Sequence, residues 1–143
     1  SVLLAQMIVQ DYLKLPLQFA PAFPGFETTI GGDHAGLVIG DRTFQMDEKY
    51  AYKLDLGEQW TQWTGLPFAF AVWIALQPLN REFERKFEEA IAWGVQHVVE
   101  FAGSPVELEY FERYISYPFD DRKRKAMNLF LQNATHLSER PMV

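Results

Sequence analysis

Cysteine is absent from the 143-residue chain. Without thiols the protein can form no disulfide framework, no thiolate metal site and no cysteine nucleophile. A cysteine-free composition is compatible with a reducing compartment, and we expect a cytoplasmic protein.

Long apolar runs and basic stripes are missing as well. The longest uninterrupted apolar run spans residues 68–76, far short of the roughly 20 residues that a membrane-spanning helix needs. Thirteen basic and 19 acidic residues give a formal net charge of −6, and the one concentrated basic run is "DDRKRK" at 120–125. That run predicts the solvated first turns of a helix. We therefore expect a soluble protein that binds neither membrane nor nucleic acid.

Helical and extended patterns alternate over the first 66 residues. A helix capped by Ser1 runs to about Lys14, a short helix follows Asp41, and a third helix closes at Gly65. Between them lie three segments that read as strands, "LQFAPA", "AGLVIGD" and "YAYKLDL". This alternation predicts an α/β fold with a partly parallel sheet.

The remainder of the chain reads as one apolar strand, residues 68–75, followed by helices alone. The pattern predicts a long amphipathic helix from Asn80 to Ala102. The string "SPVE" from Ser104 is a capping box, and Asp120 precedes a last helix with Ala126, Leu129 and Phe130 facing inward.

The peptide "TGLPF", Thr64–Phe68, lies where the character of the chain changes. Gly65 and Pro67 can form a hinge between two bodies, or an ordinary helix-to-strand turn inside one domain, and the residues alone leave both open. Trp60 and Trp63 lie close to this pivot in sequence. They are candidates for lining a cleft, although aromatic stripes usually belong to a core.

No zinc, P-loop or dinucleotide spacing occurs in the chain, so we predict no metal site. The histidines, His34, His97 and His136, lie far apart in sequence. Such isolated histidines favour structural or surface roles. His97 follows Trp93 by one helical turn, which predicts a stacked pair.

Two segment ends are candidates for binding an anionic ligand. Ser1 with the first helical amides, beginning at Val2, offers unpaired N–H donors and a partial positive charge. The predicted strand end Ile39, Gly40, Asp41 lies where ligands collect in open α/β sheets. The alternative is that Ser1 and Asp41 only cap their helices.

The strings "AGLVIGDRTF" and "KLDLGEQWTQWTGLPFAFAVWIA" resemble the chorismate dehydratases of the futalosine route to menaquinone, and a looser similarity extends over most of the chain. The resemblance implies a fold like that of class II periplasmic binding proteins, with two lobes joined by a hinge. Residues 1–66 would form the second lobe. Residues 67–143 would supply the returning strand and C-terminal helices of a first lobe that is incomplete in this chain, its opening strands lying upstream of Ser1.

By resemblance, the protein is a hydro-lyase that converts chorismate to 3-[(1-carboxyvinyl)oxy]benzoate without a cofactor. A solute-binding protein of the same fold, or the sister enzyme that makes dihydroxynaphthoate, is the alternative. The sister enzymes place a histidine in the corner occupied here by Gly40, which favours the dehydratase. The sequence leaves open whether the protein forms a homo-oligomer.

The predicted site follows from the same resemblance. Asp41 is the candidate general acid or base. The residues predicted to border the substrate are Ser1, Val2, Ile39, Gly40, Gly65 and Pro67.

Overall fold

The computed structural model describes residues 1–46 and 49–138. None of its helices there is both long and apolar enough to cross a membrane. In chain order the elements are α1 (Val2–Met7) with a π-helical turn directly after it (Ile8–Tyr12), 3-10 turns at Phe26–Thr29 and Gly40–Gln45, α2 (Leu56–Thr64), α3 (Arg81–Gln96), α4 (Val98–Phe101), α5 (Pro105–Glu109) with a second π-helical turn (Tyr110–Tyr114), and α6 (Asp121–Ser138).

The predicted α/β fold of the periplasmic-binding-protein type is wrong. The structure is 56% helical and holds no sheet in its described part, where strand pairing is limited to an isolated antiparallel bridge between Gly31 and His34. The segments predicted as strands lie largely outside the helices, but they do not pair. An apolar or alternating run specifies local extension, whereas a sheet also needs a neighbouring strand in register to exchange hydrogen bonds.

Packing divides the chain into two units. The first comprises residues 1–70 together with the chain from Asp121 onward, and the second comprises Ala71–Asp120. The lobe boundary predicted between residues 66 and 67 is not tested by this division and stays a prediction.

The core of the first unit is built around Trp60. Its fully buried partners are Leu4 from α1, Ile8 from the π-helical turn and Ala126 from α6. The Trp60 ring meets Phe68 edge-on at a centroid distance of 5.3 Å, and Leu129 and Phe130 pack against the same cluster. The inward face predicted for the last helix is therefore confirmed.

Helix α2, which carries Trp60, has the two ends that its sequence specifies. Asp55 Oδ1 accepts a hydrogen bond of 2.8 Å from the Glu58 amide at the N-terminus. At the C-terminus Gly65 has φ 68°, and its amide donates to the Thr61 carbonyl at 2.8 Å. A left-handed residue at this position ends the helix, and glycine adopts that conformation without strain. The predicted closure at Gly65 is confirmed.

The long helix predicted from 80 to 102 is interrupted at His97. Asn80 Oδ1 caps the start of α3 by accepting from the Phe83 amide at 2.8 Å. His97 leaves the helical conformation, with φ −108° and ψ 19°, and α4 begins after it. Its ring stacks on Trp93 at 4.1 Å, as predicted, and Nδ1 lies 2.7 Å from the Trp93 carbonyl oxygen. This side-chain contact competes with the backbone at the interruption.

Local interactions dominate the second unit. The predicted capping box is confirmed, since the Glu107 amide donates to Ser104 Oγ at 3.2 Å. No residue from 71 to 120 is fully buried, and Trp73 is 78% exposed. Helix α3 carries surface ion pairs one turn apart, such as Arg85–Glu89 at 2.7 Å. Caps and local pairs, rather than a shared apolar core, support these helices.

Trp60→Ala tests the core of the first unit. We expect a loss of about 3–5 kcal/mol in the free energy of unfolding, since the substitution removes a fully buried indole that three helical segments contact. Urea denaturation followed by circular dichroism measures it. The matched control is Trp93→Ala, because Trp93 is 53% exposed. Equal losses in both variants would contradict the assigned core.

Lys14→Gly tests the end of the first helical segment. Lys14 has φ 55° two residues after the π-helical turn ends at Tyr12, where the Leu15 amide donates to the Val9 carbonyl at 2.9 Å. A left-handed conformation costs a non-glycine residue about 1–2 kcal/mol, so glycine should raise the free energy of unfolding by up to about that amount. Lys14→Ala removes the charge but keeps Cβ, and it should not stabilise. A glycine variant no more stable than the alanine variant would show that the backbone is unstrained.

Candidate functional site

Ser1 and Val2 form the start of α1. Ser1 occupies the N-cap position, and its carbonyl accepts from the Ala5 amide at 2.9 Å. Its exposed hydroxyl makes no capping hydrogen bond to the first turn, so side-chain capping does not account for this serine. The first amides of a helix have no partner within the helix and point outward from its positive end. Two kinds of donor therefore face outward at this end of α1.

The pivot is fixed within the first unit. Thr64 Oγ1 donates to the Trp60 carbonyl at 2.8 Å and accepts from the Leu66 amide at 3.2 Å. Arg122 Nη2 donates to the Gly65 carbonyl oxygen at 3.0 Å. The division between the units falls after Phe70, beyond Pro67. Gly65 and Pro67 thus belong to one packed body.

The Gly40 corner consists of Ile39, Gly40 and Asp41. Gly40 opens its 3-10 turn with φ 74°, and a Cβ there would meet no atom within 4 Å. The left-handed backbone, rather than crowding, therefore favours glycine. Ile39 is 61% exposed. Asp41 lies in the first turn rather than at the N-cap, which is Ile39, and the Asp41 side chain lies outside what the structure describes.

Glu27 ties the corner to the neighbouring loop. Its Oε1 lies 3.2 Å from Arg42 Nη1, and its carbonyl oxygen accepts from the Tyr50 hydroxyl at 2.8 Å. The Glu27 side chain is 17% exposed, whereas that of Arg42 is 73% exposed. The cation next to Asp41 in sequence is therefore already neutralised by a carboxylate.

The start of α1 and the start of α6 lie at the same end of the first unit. Leu4 and Ala126 share the buried core, while Asp11 and Asn133, seven residues further along in each case, line one groove. The two segments therefore run in the same direction. At a rise of about 1.5 Å per residue, Ser1 lies about 4.5 Å along the axis from Leu4, towards the end at which α6 begins.

The common direction of α1 and α6 thus places Ser1 and Val2 at the end of the unit where Arg122 of α6 bonds to Gly65. Arg42, which directly follows the Gly40 corner, bonds to Glu27, and Glu27 in turn accepts from Tyr50. The assignment of these residues to substrate binding stays a prediction.

The tryptophans near the pivot have different environments. Trp60 is fully buried and belongs to the core. Trp63 stacks on Tyr12 at a centroid distance of 5.7 Å and lines the groove that Asp11 and Asn133 border. Of the two candidates for lining a cleft, Trp63 has an open side.

The basic run at 120–125 contains two residues that sequence reasoning missed. Arg124 and Lys125 are exposed, as predicted, but Lys123 is only 7% exposed. Its spacing of three from Ala126 and seven from Phe130 places it on the inward helical face, a signal that the charge of the run obscured. The bond from Arg122 to Gly65 joins residues 57 apart in sequence, and no local pattern could have found it.

Among the side chains that the structure describes, no group of three or more histidine, aspartate or glutamate residues lies close enough to hold a metal ion. His34 Nδ1 instead lies 2.6 Å from Asp33 Oδ1. The donors described above are the Ser1 hydroxyl, the first amides of α1 and the Arg122 guanidinium. Such groups are suited to binding carboxylates.

Comparison with known proteins identifies the family. A family model described as menaquinone biosynthesis matches residues 1–136. The match includes every predicted site residue, the Glu27 loop and the start of α6. No solved structure matches the chain. The family resemblance predicted from the "IGD" and "TGLPF" strings is confirmed, and the chain belongs to the menaquinone biosynthesis family.

Proposed function

We propose that this protein catalyses the dehydration of chorismate to 3-[(1-carboxyvinyl)oxy]benzoate within menaquinone biosynthesis. The observation that carries the proposal is the family match over residues 1–136. Within that family, "AGLVIGDRTF" and the string from Lys53 to Ala75 resemble the chorismate dehydratases. By resemblance, the sister enzymes that make dihydroxynaphthoate have a histidine at the position of Gly40. Glycine at this position favours the dehydratase over the sister enzyme.

The reaction makes modest chemical demands. One C–H bond breaks at the ring carbon that bears the enolpyruvyl ether, and the adjacent C–OH bond breaks. The proton and hydroxide leave together as water, and the electron pair of the C–H bond completes an aromatic ring. The protein must hold a dianion, accept one proton and assist the departure of hydroxide. Positioned acid–base groups contribute about 10²–10⁴-fold to such steps.

Hydrogen-bond donors at the start of α1 suit the binding of a carboxylate. The Ser1 hydroxyl is not used for capping, and the first amides, including that of Val2, lie at the positive end of the helix. Gly65 is tied to the same end through Arg122 of α6, and Pro67 follows Gly65 by two residues. We assign carboxylate binding to Ser1 and Val2, and assign Gly65 and Pro67 to the border of the substrate.

The Gly40 corner is the assigned acid–base element. A glycine with open space around its missing Cβ leaves the backbone accessible to a ligand. Ile39 and Gly40 border the substrate in this proposal, and Asp41 transfers the proton.

Incubation with chorismate tests the reaction directly. We expect chorismate to disappear and 3-[(1-carboxyvinyl)oxy]benzoate to form in equal amounts, as measured by liquid chromatography with ultraviolet detection. A protein-free sample corrects for spontaneous decay of chorismate. A folded protein that leaves chorismate unchanged would refute the proposal, even though the family membership would stand.

Asp41→Asn tests the acid–base assignment. The amide has nearly the same shape but cannot exchange a proton in the same way, so kcat should fall about 100-fold or more while the circular dichroism spectrum stays unchanged. Asp33→Asn is the matched control, because its carboxylate is 93% exposed and lies outside the assigned site. A turnover number close to that of the unsubstituted protein would remove Asp41 from the mechanism.

A further inference from the structure

The predicted site holds no positive charge of its own. Its members are neutral apart from Asp41, which is acidic, and the whole chain carries a formal net charge of −6. A dicarboxylate approaching such a surface is repelled unless a cation lies nearby. Helix amides and hydroxyls supply only partial charges. The arrangement therefore calls for a cation that sequence reasoning did not assign.

Two arginines touch the segments of the predicted site. Arg42 lies next to Asp41 in sequence and is paired with Glu27 at 3.2 Å. Arg122 donates one N–H to the Gly65 carbonyl at 3.0 Å, and its side chain is exposed. Among the side chains that the structure describes, no carboxylate forms an ion pair with Arg122. Of the two, Arg122 is the guanidinium whose charge remains available.

In the first turn of α6, the Arg122 side chain contacts a different part of the unit from the side chains of its charged neighbours. Asp121 lines a groove with Arg124 and Lys125, while Lys123 is buried. Arg122 extends to the pivot instead. The nearest acid in the turn thus shares a surface with two other cations, and Arg122 faces Gly65.

The position of Arg122 matches the start of α1. Arg122 lies four residues before Ala126, and Ser1 lies three residues before Leu4, with Ala126 and Leu4 in one core. Because the two segments run in the same direction, Arg122 and Ser1 lie at the same end, within about one helical turn of that shared core level along the axis. The guanidinium, the Ser1 hydroxyl and the first amides of α1 thus belong to one end of the unit.

We infer that Arg122 is a substrate-binding residue that holds one carboxylate of a cyclic dicarboxylate dianion beside Gly65. A guanidinium has five N–H donors in a planar fork, and the bond to Gly65 uses one of them. That bond fixes the plane of the fork before the ligand arrives, which reduces the entropy lost on binding. The choice of chorismate as the dianion rests on the proposed function, whereas the binding of a dianion does not.

Two ligands separate this inference from the proposed function. Chorismate gives KM and kcat, and isophthalate, a stable aromatic dicarboxylate, gives a dissociation constant from calorimetry without any reaction. Arg122→Gln should raise KM for chorismate and Kd for isophthalate about tenfold or more, since a hydrogen bond to a charged group is lost. The turnover number should change little, because binding rather than proton transfer is affected. Higher salt should weaken isophthalate binding more in the unsubstituted protein than in Arg122→Gln.

The variants separate charge from support of the pivot. Glutamine keeps an N–H that can donate to the Gly65 carbonyl, whereas Arg122→Lys keeps the charge. Lysine should therefore restore part of the affinity that glutamine loses. Arg124→Gln removes the same charge two residues along the helix and should leave both constants unchanged.

Each outcome decides a distinct claim. Equal weakening in Arg122→Gln and Arg124→Gln, or lysine binding no better than glutamine, would overturn the role of Arg122. Failure of the unsubstituted protein to bind isophthalate would overturn it too. Isophthalate binding that depends on Arg122, without any conversion of chorismate, would uphold the anion site and refute the proposed reaction.

Discussion

The packing of Trp60 against α1, α6 and Phe68 is the interaction on which the first unit depends. The indole is fully buried and contacts segments that lie far apart in sequence. It holds Leu4 and Ala126 in one cluster, and Asp11 and Asn133, seven residues further along each segment, line one groove, so α1 and α6 run in the same direction. That direction places Ser1 and Arg122 at one end. The position of the proposed anion-binding groups is therefore a consequence of apolar packing, and none of those groups determines it.

Local chemistry explains which parts of the fold the sequence predicts. Asp55 and Gly65 bound α2 as expected, because caps act within one helical turn. The face of α6 follows from helical periodicity. The predicted strands were wrong because strand pairing is not local. The string "AGLVIGD" specifies an extended, apolar segment, but a sheet also needs a partner strand that this segment does not encode. The interruption at His97 was missed because Trp93 and His97 were read only as a stacking pair within a continuous helix.

The same distinction between local and long-range interactions explains which parts of the candidate site the sequence predicts. The motif around Gly40 and Asp41 was found from sequence because its residues are consecutive. The positive φ of Gly40 explains why glycine occupies this position. The contact between Arg122 and Gly65 joins residues 57 apart in sequence, and a basic run beside two aspartates is typical of a solvated helix start. Charge composition still indicated that a cation was missing from the predicted site. An acidic protein whose proposed substrate is a dianion needs a cation, and the motif does not contain one.

The first unit is assembled from two separated parts of the chain, and this affects when it can form. A ribosome makes residues 1–70 before the second unit, and α6 emerges only after the whole of the second unit. Until then the apolar side of α1 and the ring of Trp60 lack the helix that covers them. Closing such a long loop is entropically costly and slow compared with forming local helices. The second unit, supported by caps and neighbouring ion pairs, can become helical before α6 emerges, while the body that carries the proposed site is completed only once α6 is available.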